Sequence, residues 1–534
     1  MTTASELLLQ GKKEQVWKKY CGFLDLSLDE FMQIQERLLG EQLAYLGASP
    51  LGRRLLGIEP PGSLGEFRSR VPLTTYDDYA GDFDAKDDDA LPEKPFLWAH
   101  TSGRSGIKKW FPYSEPSFHK LGEQVLGGVI LASARRHGEV RVEEWDTLLS
   151  NTPPRPYISG VVLRALAEQF NFNFIPALEK TEDMEFQERI TTGFKTAMKT
   201  GIDVLGSISV VLVKMGESFE QGANTSGSLS LDMLHPKVIL RYLRGFVKSK
   251  RAGRPVLPKD LWSIKAIVTG GMDVSIYKER IAYYWGVLPF EQYGSTEVGV
   301  LASHSWTKDG MTFLPDAAFL EFLPLEELDK LKADPAYIPK TDLMNEVQTD
   351  KIYELVATSF HGNSLVRYRT NDLMKFTTLQ DENSGVALPQ MEFVSRMAGV
   401  IDLSGFSGIM DEKLFWQAMV KSGIPYEDWV IRKEASDGKA RLHLYIETSS
   451  DLESQVIGRR VNDSLKQLNP YYADFTEMID ENPFLVTILS PGTFSGYMLA
   501  MVEAGANLAH LKPPHMNASD EVVQTLLRVN NQSA

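Results

Sequence analysis

Thr101-Ser102-Gly103-Arg104-Ser105-Gly106-Ile107-Lys108-Lys109 follows a short apolar run, Phe96-Leu97-Trp98-Ala99, that reads as the end of a strand. These nine residues hold two glycines, three hydroxyls and three cations. Small residues let backbone N–H groups approach an anion closely, hydroxyls donate further hydrogen bonds, and cations supply charge. Such a loop suits the phosphates of a nucleotide triphosphate. No Gly-Lys-Ser or Gly-Lys-Thr closes it, so it is not a Walker A loop. Taken alone it is equally an ordinary polar turn, because Gly/Ser-rich loops are common.

Stretches further along weigh on that choice. Ile264 to Val268 reads as a strand with Thr269-Gly270-Gly271 as the loop at its end. Trp285 to Phe290 reads the same way, leading into Glu291-Gln292-Tyr293-Gly294-Ser295-Thr296-Glu297. In open α/β sheets, ligands bind at the carboxyl ends of strands. A third apolar segment, Ile352 to Ala357, leads through His361-Gly362-Asn363 to Val366-Arg367-Tyr368-Arg369-Thr370-Asn371-Asp372. Ser117 to Arg136 reads as a helix, and Asn151 to Tyr157 as a Pro-rich connector. Val204 to Met215 is buried strand or buried helix; its period does not decide which. Near the start, Phe31, Ile34 and Leu38 fall at helical spacing and Gly40 interrupts the run. The acidic run Asp82 to Asp89 reads as a solvated loop rather than a metal site.

A chain of 534 residues is too long for one hydrophobic core. Lys plus Arg total 56 against 71 Asp plus Glu, a formal charge of −15, which argues against a general nucleic-acid or anionic-membrane surface. An anionic substrate then needs a local cationic site. The single cysteine, Cys21, excludes an intrachain disulfide and a cysteine metal cluster. The nine histidines form no His-x-x-x-His pair. Met1 to Tyr20 has no apolar core of signal-peptide length, and the longest apolar run, Val125 to Ala132, is well short of a membrane span. The chain therefore reads as soluble and cytoplasmic.

The C-terminal part changes character. Lys413 to Lys421 reads as a helix, and Leu442, Leu444 and Ile446 alternate with polar residues as in a half-buried strand. His443 then falls on the strand's outward side. Ile457, Val461, Leu465 and Leu468 make an amphipathic helix stopped by Asn469-Pro470. Phe484 to Leu489 reads as a strand, and a further helix runs up to Gly505. The expected fold is a large α/β domain over 1–395 and a smaller α+β domain over 396–534.

In this order and spacing the stretches resemble the adenylate-forming superfamily. The loop from Thr101 to Lys109 is similar to its Thr-Ser-Gly-x-x-Gly-x-x-Lys phosphate loop, with Arg104 an addition within it. Tyr293 to Glu297 is similar to its Tyr-Gly-x-Thr-Glu motif. Tyr368 to Asp372 is similar to its Tyr-Arg-x-Gly-Asp motif, with Asn371 where glycine is usual. Phe67 to Pro72, Tyr76-Asp77-Asp78-Tyr79 and the tail Pro491-Gly492-Thr493-Phe494…Lys512-Pro513-Pro514 narrow the resemblance. They resemble the auxin-responsive Gretchen Hagen family of acyl acid amido synthetases and its fungal and bacterial relatives. His515 stands where that family usually has an arginine.

The resemblance implies an ATP-dependent ligase. A carboxylic acid attacks the α-phosphate of ATP, and an amine, expected to be an amino acid, then displaces AMP from the acyl-adenylate. It implies phosphate contacts from Thr101, Ser102, Gly103, Arg104, Ser105, Gly106 and Lys109. Gly270 and Gly271 would lie against adenine, with Tyr293 stacked on it and Gly294, Ser295 and Thr296 beside it. Glu297 is the implied Mg²⁺ ligand, a hard oxygen donor. Asp372 is the implied acceptor of both ribose hydroxyls, and Arg396 and Lys413 are implied nucleotide contacts. Lys512 is the implied cation of adenylation, carried on a lid domain that hinges near Arg396 to Asp402. An acyl-CoA or other thioester-forming synthetase shares the first half-reaction, so these motifs leave it open. A catalytically silent binding or scaffold protein is the alternative of another class. The acid, the acceptor and the oligomeric state are not readable from the sequence.

Overall fold

The structure is a computed structural model. It describes residues 3–101, 109–184, 186–221, 235–269, 274–334, 337–396, 400–403, 410–503 and 514–533. The described residues divide into two compact units. The first lies within residues 1–395 and the second takes in 274–277 and the described part of 396–534.

The first unit is organised by one sheet of eleven strands. In chain order these are β3 (Thr147–Ser150), β4 (Asn173–Ile175), β5 (Val204–Gly206), β6 (Ala266–Thr269), β7 (Phe290–Ser295), β8 (Gly299–His304), β9 (Met311–Phe313), β10 (Ala318–Pro324), β11 (Ile352–Ser359), β12 (Tyr368–Thr378) and β13 (Gln390–Arg396). Across the sheet the order is β10-β11-β12-β13-β9-β8-β7-β6-β5-β3-β4. A separate hairpin, β1 (Leu97–His100) with β2 (Trp110–Tyr113), precedes them. The five strands β4, β3, β5, β6 and β7 pair in parallel, whereas β7 meets β8, and β8 meets β9, antiparallel. Helices Ile158–Gln169, Phe186–Thr200, Ser209–Glu220, Pro236–Ala252 and Val274–Trp285 make the crossovers of the parallel half. β3 is buried at every position and β10 likewise, as strands covered on both faces must be.

Helix Glu115–Ser133 packs deep in this unit. Ser114 caps it by accepting from the Ser117 N–H at 3.1 Å, and residues 124–133 are all buried. Its glycines make close approaches. A Cβ at Gly122 would lie 2.3 Å from the Ala165 carbonyl oxygen, and one at Gly127 would lie 2.4 Å from that of Tyr20. The long apolar run of the sequence is thus a core helix, and among the described residues no helix is long and apolar enough to cross a membrane.

Several local expectations are corrected. Gly40 does not interrupt its helix, which runs Leu28–Gly47. A capping box at Ser27 and Glu30 and an apolar face including Phe31, Leu39 and Leu43 outweigh the cost of about 1 kcal/mol for an exposed helical glycine. Trp285 to Phe290 is not a strand. Trp285 ends a helix, its indole donating to the Leu212 carbonyl at 2.9 Å; Gly286 follows with φ 75°, and the strand starts at Phe290. The ambiguous segment 204–215 is both things, strand β5 and then a helix from Ser209. The acidic run is a helix, Ala80–Ala85, and a 3₁₀ turn, Asp88–Ala90.

The second unit has a three-stranded sheet of β16 (Asp428–Ser436), β17 (Lys439–Glu447) and β18 (Phe484–Leu489), and a short pair, β14 (Val400–Ile401) with β15 (Met410–Asp411). Strands β16 and β17 pair antiparallel and β17 and β18 in parallel. Helices Glu412–Ser422, Ser454–Leu468, Pro470–Ile479, Thr493–Glu503 and Asp520–Ser533 accompany them. Asn469-Pro470 ends one helix and starts another: Asn469 accepts from the Tyr472 N–H at 3.2 Å and Pro470 takes the first helical position. His443 is not simply turned to solvent. It is half-buried, bonded to Glu434 at 2.6 Å and to Thr487 at 2.8 Å.

Candidate functional site

The site is built at the carboxyl ends of the parallel strands. Thr269 is the last residue of β6, and the register sets it beside Glu291 of β7. Tyr293, Gly294 and Ser295 lie on β7 itself, and the turn Thr296–Val298 leads into β8. Gly294 is required here because a Cβ would stand 2.3 Å from the Gly299 carbonyl oxygen across the hairpin. The β1–β2 hairpin is tied to the same edge. The His100 N–H donates to the Pro156 carbonyl at 3.1 Å, and the connector 151–157 follows the carboxyl end of β3. At the neck of the hairpin the Thr101 N–H donates to the Lys109 carbonyl at 3.0 Å.

Two carboxylates mark the centre. Asp372, on β12, is buried and accepts from the Tyr293 hydroxyl at 2.8 Å. The Tyr293 ring stacks on Phe393 of β13, centroid to centroid 6.2 Å with planes at 28°. Asp372 is placed by Asn371 and, through Glu354, by Arg369. Asn371 has φ 60°, the left-handed region where asparagine is the best substitute for glycine, and this explains the departure from the family pattern. Its N–H donates at 3.1 Å to Glu354, whose buried carboxylate also takes the Arg369 guanidinium at 2.8 Å. Arg369 thereby supports, through Glu354, the turn that carries Asp372.

Glu297 sits in the turn after β7, half-buried, and its carboxylate has no hydrogen-bond partner among the described residues. Its charge reaches two tyrosines. Burial first, and Glu297 in addition, holds the Tyr113 hydroxyl well above its ordinary range. Burial, an Asp84 hydrogen bond and Glu297 do the same to Tyr76. Tyr113 donates to the Thr296 carbonyl at 2.9 Å and so fixes the turn that carries Glu297. Tyr76 donates to Asp84 at 2.6 Å, and the Lys109 ammonium lies over its ring, 4.6 Å from the centroid. Lys109, Tyr76, Glu297 and Tyr113 thus share one neighbourhood, and Tyr293 and Asp372 are joined by a direct bond.

The remaining candidates are dispersed. Lys413 is exposed, second in helix Glu412–Ser422 of the second unit. Arg396 is the last residue of β13, with its side chain outside the described ones. Ser102, Gly103, Arg104, Ser105, Gly106, Gly270, Gly271 and Lys512 lie outside the described residues. His100 and Tyr157 were missed in the sequence. His100 is buried between Trp110 and Tyr157, with ring centroids 4.8 and 4.6 Å away. Only the Pro-rich character of 151–157 hinted at it. Among the described residues no group of three or more His, Cys, Asp or Glu side chains could hold a metal by itself.

A half-parallel, half-antiparallel sheet with these motifs on its carboxyl edge defines an adenylate-forming fold. The structure of a 2-hydroxyisobutyryl-CoA ligase in complex with 2-HIB-AMP and CoA superposes with a TM-score of 0.58 at 14% identity, covering 97% of this chain and 94% of that one. That of AtGH3.15, an acyl acid amido synthetase in complex with 2,4-DB, gives 0.52 at 18% identity over 95% of each. The GH3 family N-terminal, central and C-terminal domain models match residues 22–156, 311–396 and 413–521, and the chain belongs to the GH3 family. The jasmonoyl–L-amino acid synthetase GH3.5 of Oryza sativa subsp. japonica is 26% identical over 300 residues, 52% of this chain and 50% of that protein. The chain spans about half the length of the curated relatives it matches.

Proposed function

We propose that this protein is an acyl acid amido synthetase that adenylates a carboxylic acid with ATP and passes the acyl group to an amine, in the simplest case an amino acid. The observation that carries the reading is the buried Tyr293–Asp372 pair, with Glu297 held on the turn at the end of the same strand. Asp372 accepts ribose hydroxyls as charge-assisted hydrogen bonds, with Tyr293 fixing the carboxylate's orientation. Lys109, on the neck of the phosphate loop, faces the negative charge that grows on the pentavalent α-phosphate. Glu297 fits Mg²⁺ because it is a half-buried, hard oxygen donor that no described residue satisfies. The ion, held by Glu297, would neutralise phosphate charge. Thr101, Ser102, Gly103, Arg104, Ser105 and Gly106 would cradle the phosphates, and Gly270 and Gly271 the base. Arg396 and Lys413 are proposed to act from the small-domain side.

Residues 396–534 are proposed as a lid that admits the amine after pyrophosphate leaves and shields the labile adenylate from water. The separate C-terminal family domain supports this reading. Lys512→Ala then slows adenylation more than amine capture of preformed adenylate, and equal single-turnover rates would refute the lid role. Thioester formation is the second reading, favoured by the likeness in fold to a CoA ligase. Pyrophosphate release over a panel of carboxylic acids tests the first step. Mass spectrometry of products from mixed amino acids and coenzyme A tests the second, and a thioester as sole product would overturn amide formation.

A further inference from the structure

A surface helix ordinarily turns its apolar residues toward the core. Helix Pro236–Ala252 does the reverse. Val238, Gly245 and Ser249 are buried, whereas Ile239, Leu240, Leu243, Phe246 and Val247 are between 44% and 58% exposed. Among the described residues, no other helix exposes more than two large hydrophobic side chains. At 3.6 residues per turn the five occupy an arc of about 120°, opposite the buried stripe. The same helix carries six cations, Lys237, Arg241, Arg244, Lys248, Lys250 and Arg251, and no carboxylate, in a chain of net charge −15. Lys237, Arg244, Lys248 and Arg251 are exposed and fall together along one flank of the apolar arc. The acidic balance that argues against a general anionic-membrane surface thus has a local exception.

The helix is seated on the fold by its inner side. A Cβ at Gly245 would lie 2.6 Å from the Leu261 Cδ2. The Arg241 guanidinium donates to the Ala197 and Met198 carbonyls at 2.7 and 2.6 Å, closing the end of helix Phe186–Thr200. On the outer side, none of Lys237, Arg244, Lys248 and Arg251 has a carboxylate within ion-pair distance among the described residues. The Lys250 ammonium lies over the Phe246 ring, 5.2 Å from its centroid, so a cation also borders the arc near its end. This arrangement disfavours two occupants. A second copy meeting the face isologously would set six cations against six. A groove that engulfs a helix needs it free on nearly all sides, and this one is fixed along its inner stripe. A plane with an apolar interior and an anionic boundary satisfies the arc and its flank together.

We propose that the outer face of helix Pro236–Ala252 docks this protein reversibly on an anionic phospholipid bilayer. Ile239, Leu243 and Phe246 enter the acyl boundary, and Arg244, Lys248 and Arg251 meet the lipid phosphates. The helix lies in the plane of the interface and does not span it. The chain's net negative charge makes the docking orientation specific, since most of its surface is repelled by the lipid. The inference does not depend on the proposed ligase activity.

Flotation of the full chain with phosphatidylcholine vesicles, with and without about 30% phosphatidylserine, tests this at about 0.1 M salt. Wild type should float with the anionic vesicles and far less with the neutral ones, and about 0.5 M salt should weaken its binding about tenfold. Leu243→Ser with Phe246→Ser should lose about tenfold or more in affinity, and so should Arg244→Glu with Lys248→Glu. All four positions are exposed, so the thermal midpoints should match wild type. Leu9→Ser, at an exposed apolar position outside the face, should bind as wild type does. Phe246→Cys carrying an environment-sensitive fluorophore should shift its emission to the blue on anionic vesicles; the other thiol, Cys21, is buried. No binding to anionic vesicles, equal binding to neutral ones, affinity kept in either double variant, an equal loss in Leu9→Ser, or no emission shift overturns the proposal. A dimer that Leu243→Ser with Phe246→Ser dissociates, in the absence of vesicle binding, assigns the face to a second copy and overturns it as well.

Discussion

Two regions of the first unit treat their cations in opposite ways. In the antiparallel half, Arg367 is buried and meets Glu321 through two bonds of 2.8 and 3.0 Å, and Arg369 meets Glu354 on the next strand. At the amino edge of the parallel half, the hydrogen bonds of Arg141, Lys278 and Lys308 go, among the described residues, to carbonyl oxygens. The cost of burying charge is the same physics in both places. Where fixed carboxylates answer it, the pair builds the platform that holds Asp372. Where they do not, carbonyl oxygens hold the cations in place. Paired charge here marks the framework of the sheet, and carbonyl-held charge its edge.

That contrast can be broken in graded steps. The largest effect should come from Glu321→Ala, which leaves Arg367 buried without its carboxylate. We expect a loss of about 3–5 kcal/mol in the unfolding of the first unit. A urea midpoint within error of wild type would show that the pair is dispensable. Next is Asp372→Ala, a carboxylate of the same region assigned to ligand rather than structure. It should reduce ATP use by about 10- to 150-fold, or 1.5–3 kcal/mol, with little change in the urea midpoint. A matching loss of stability with ATP kinetics intact would place Asp372 among the structural pairs.

A smaller effect is expected from Asn371→Ala, about 1–2 kcal/mol for forcing alanine into the left-handed region, with Asn371→Gly near wild type. Equal stability of the Ala and Gly variants would contradict the backbone explanation. The smallest is a slope. Lys308 binds its proton more weakly folded than unfolded, so the unfolded chain holds more protons between about pH 8 and the ordinary lysine value near 10.5. Stability of wild type should therefore rise with pH through that window relative to Lys308→Met. Parallel pH profiles for the two proteins would show that Lys308 is not strained by its neighbours.

The legibility of the sequence follows the same division. Tyr293 to Glu297 and Tyr368 to Asp372 were readable by their motifs, and the structure adds the backbone reasons: Gly294 admits no Cβ and Asn371 takes a positive φ. Also readable was strand β6, read from the apolar run Ile264 to Val268 and found over Ala266–Thr269, with Thr269 its last residue rather than the start of the loop. What failed was whatever distant partners decide. Trp285 looked like strand because its neighbours are apolar, but the indole's bond to Leu212 and the left-handed Gly286 end a helix there. Gly40 looked like a break because local propensity does not register the far-off core that Phe31 and Leu39 enter. His100, Tyr113 and Tyr76 join the site through partners 34 to 183 positions away, and no local pattern encodes such a meeting.

One strand carries a further consequence. β7 pairs in parallel with β6 through Phe290 and Glu291, and antiparallel with β8 from Gln292 to Ser295, with an irregularity between Tyr293 and Gly294. Each half of this six-residue strand answers to a neighbour of opposite sense. A substitution tolerated by one register is rejected by the other, so few sequences solve both. Tyr293 to Glu297 is then expected to be the slowest-changing text in the chain as relatives diverge. Its letters carry two grammars at once, the pairing of a sheet and the chemistry of a site, and drift in either is censored by the other.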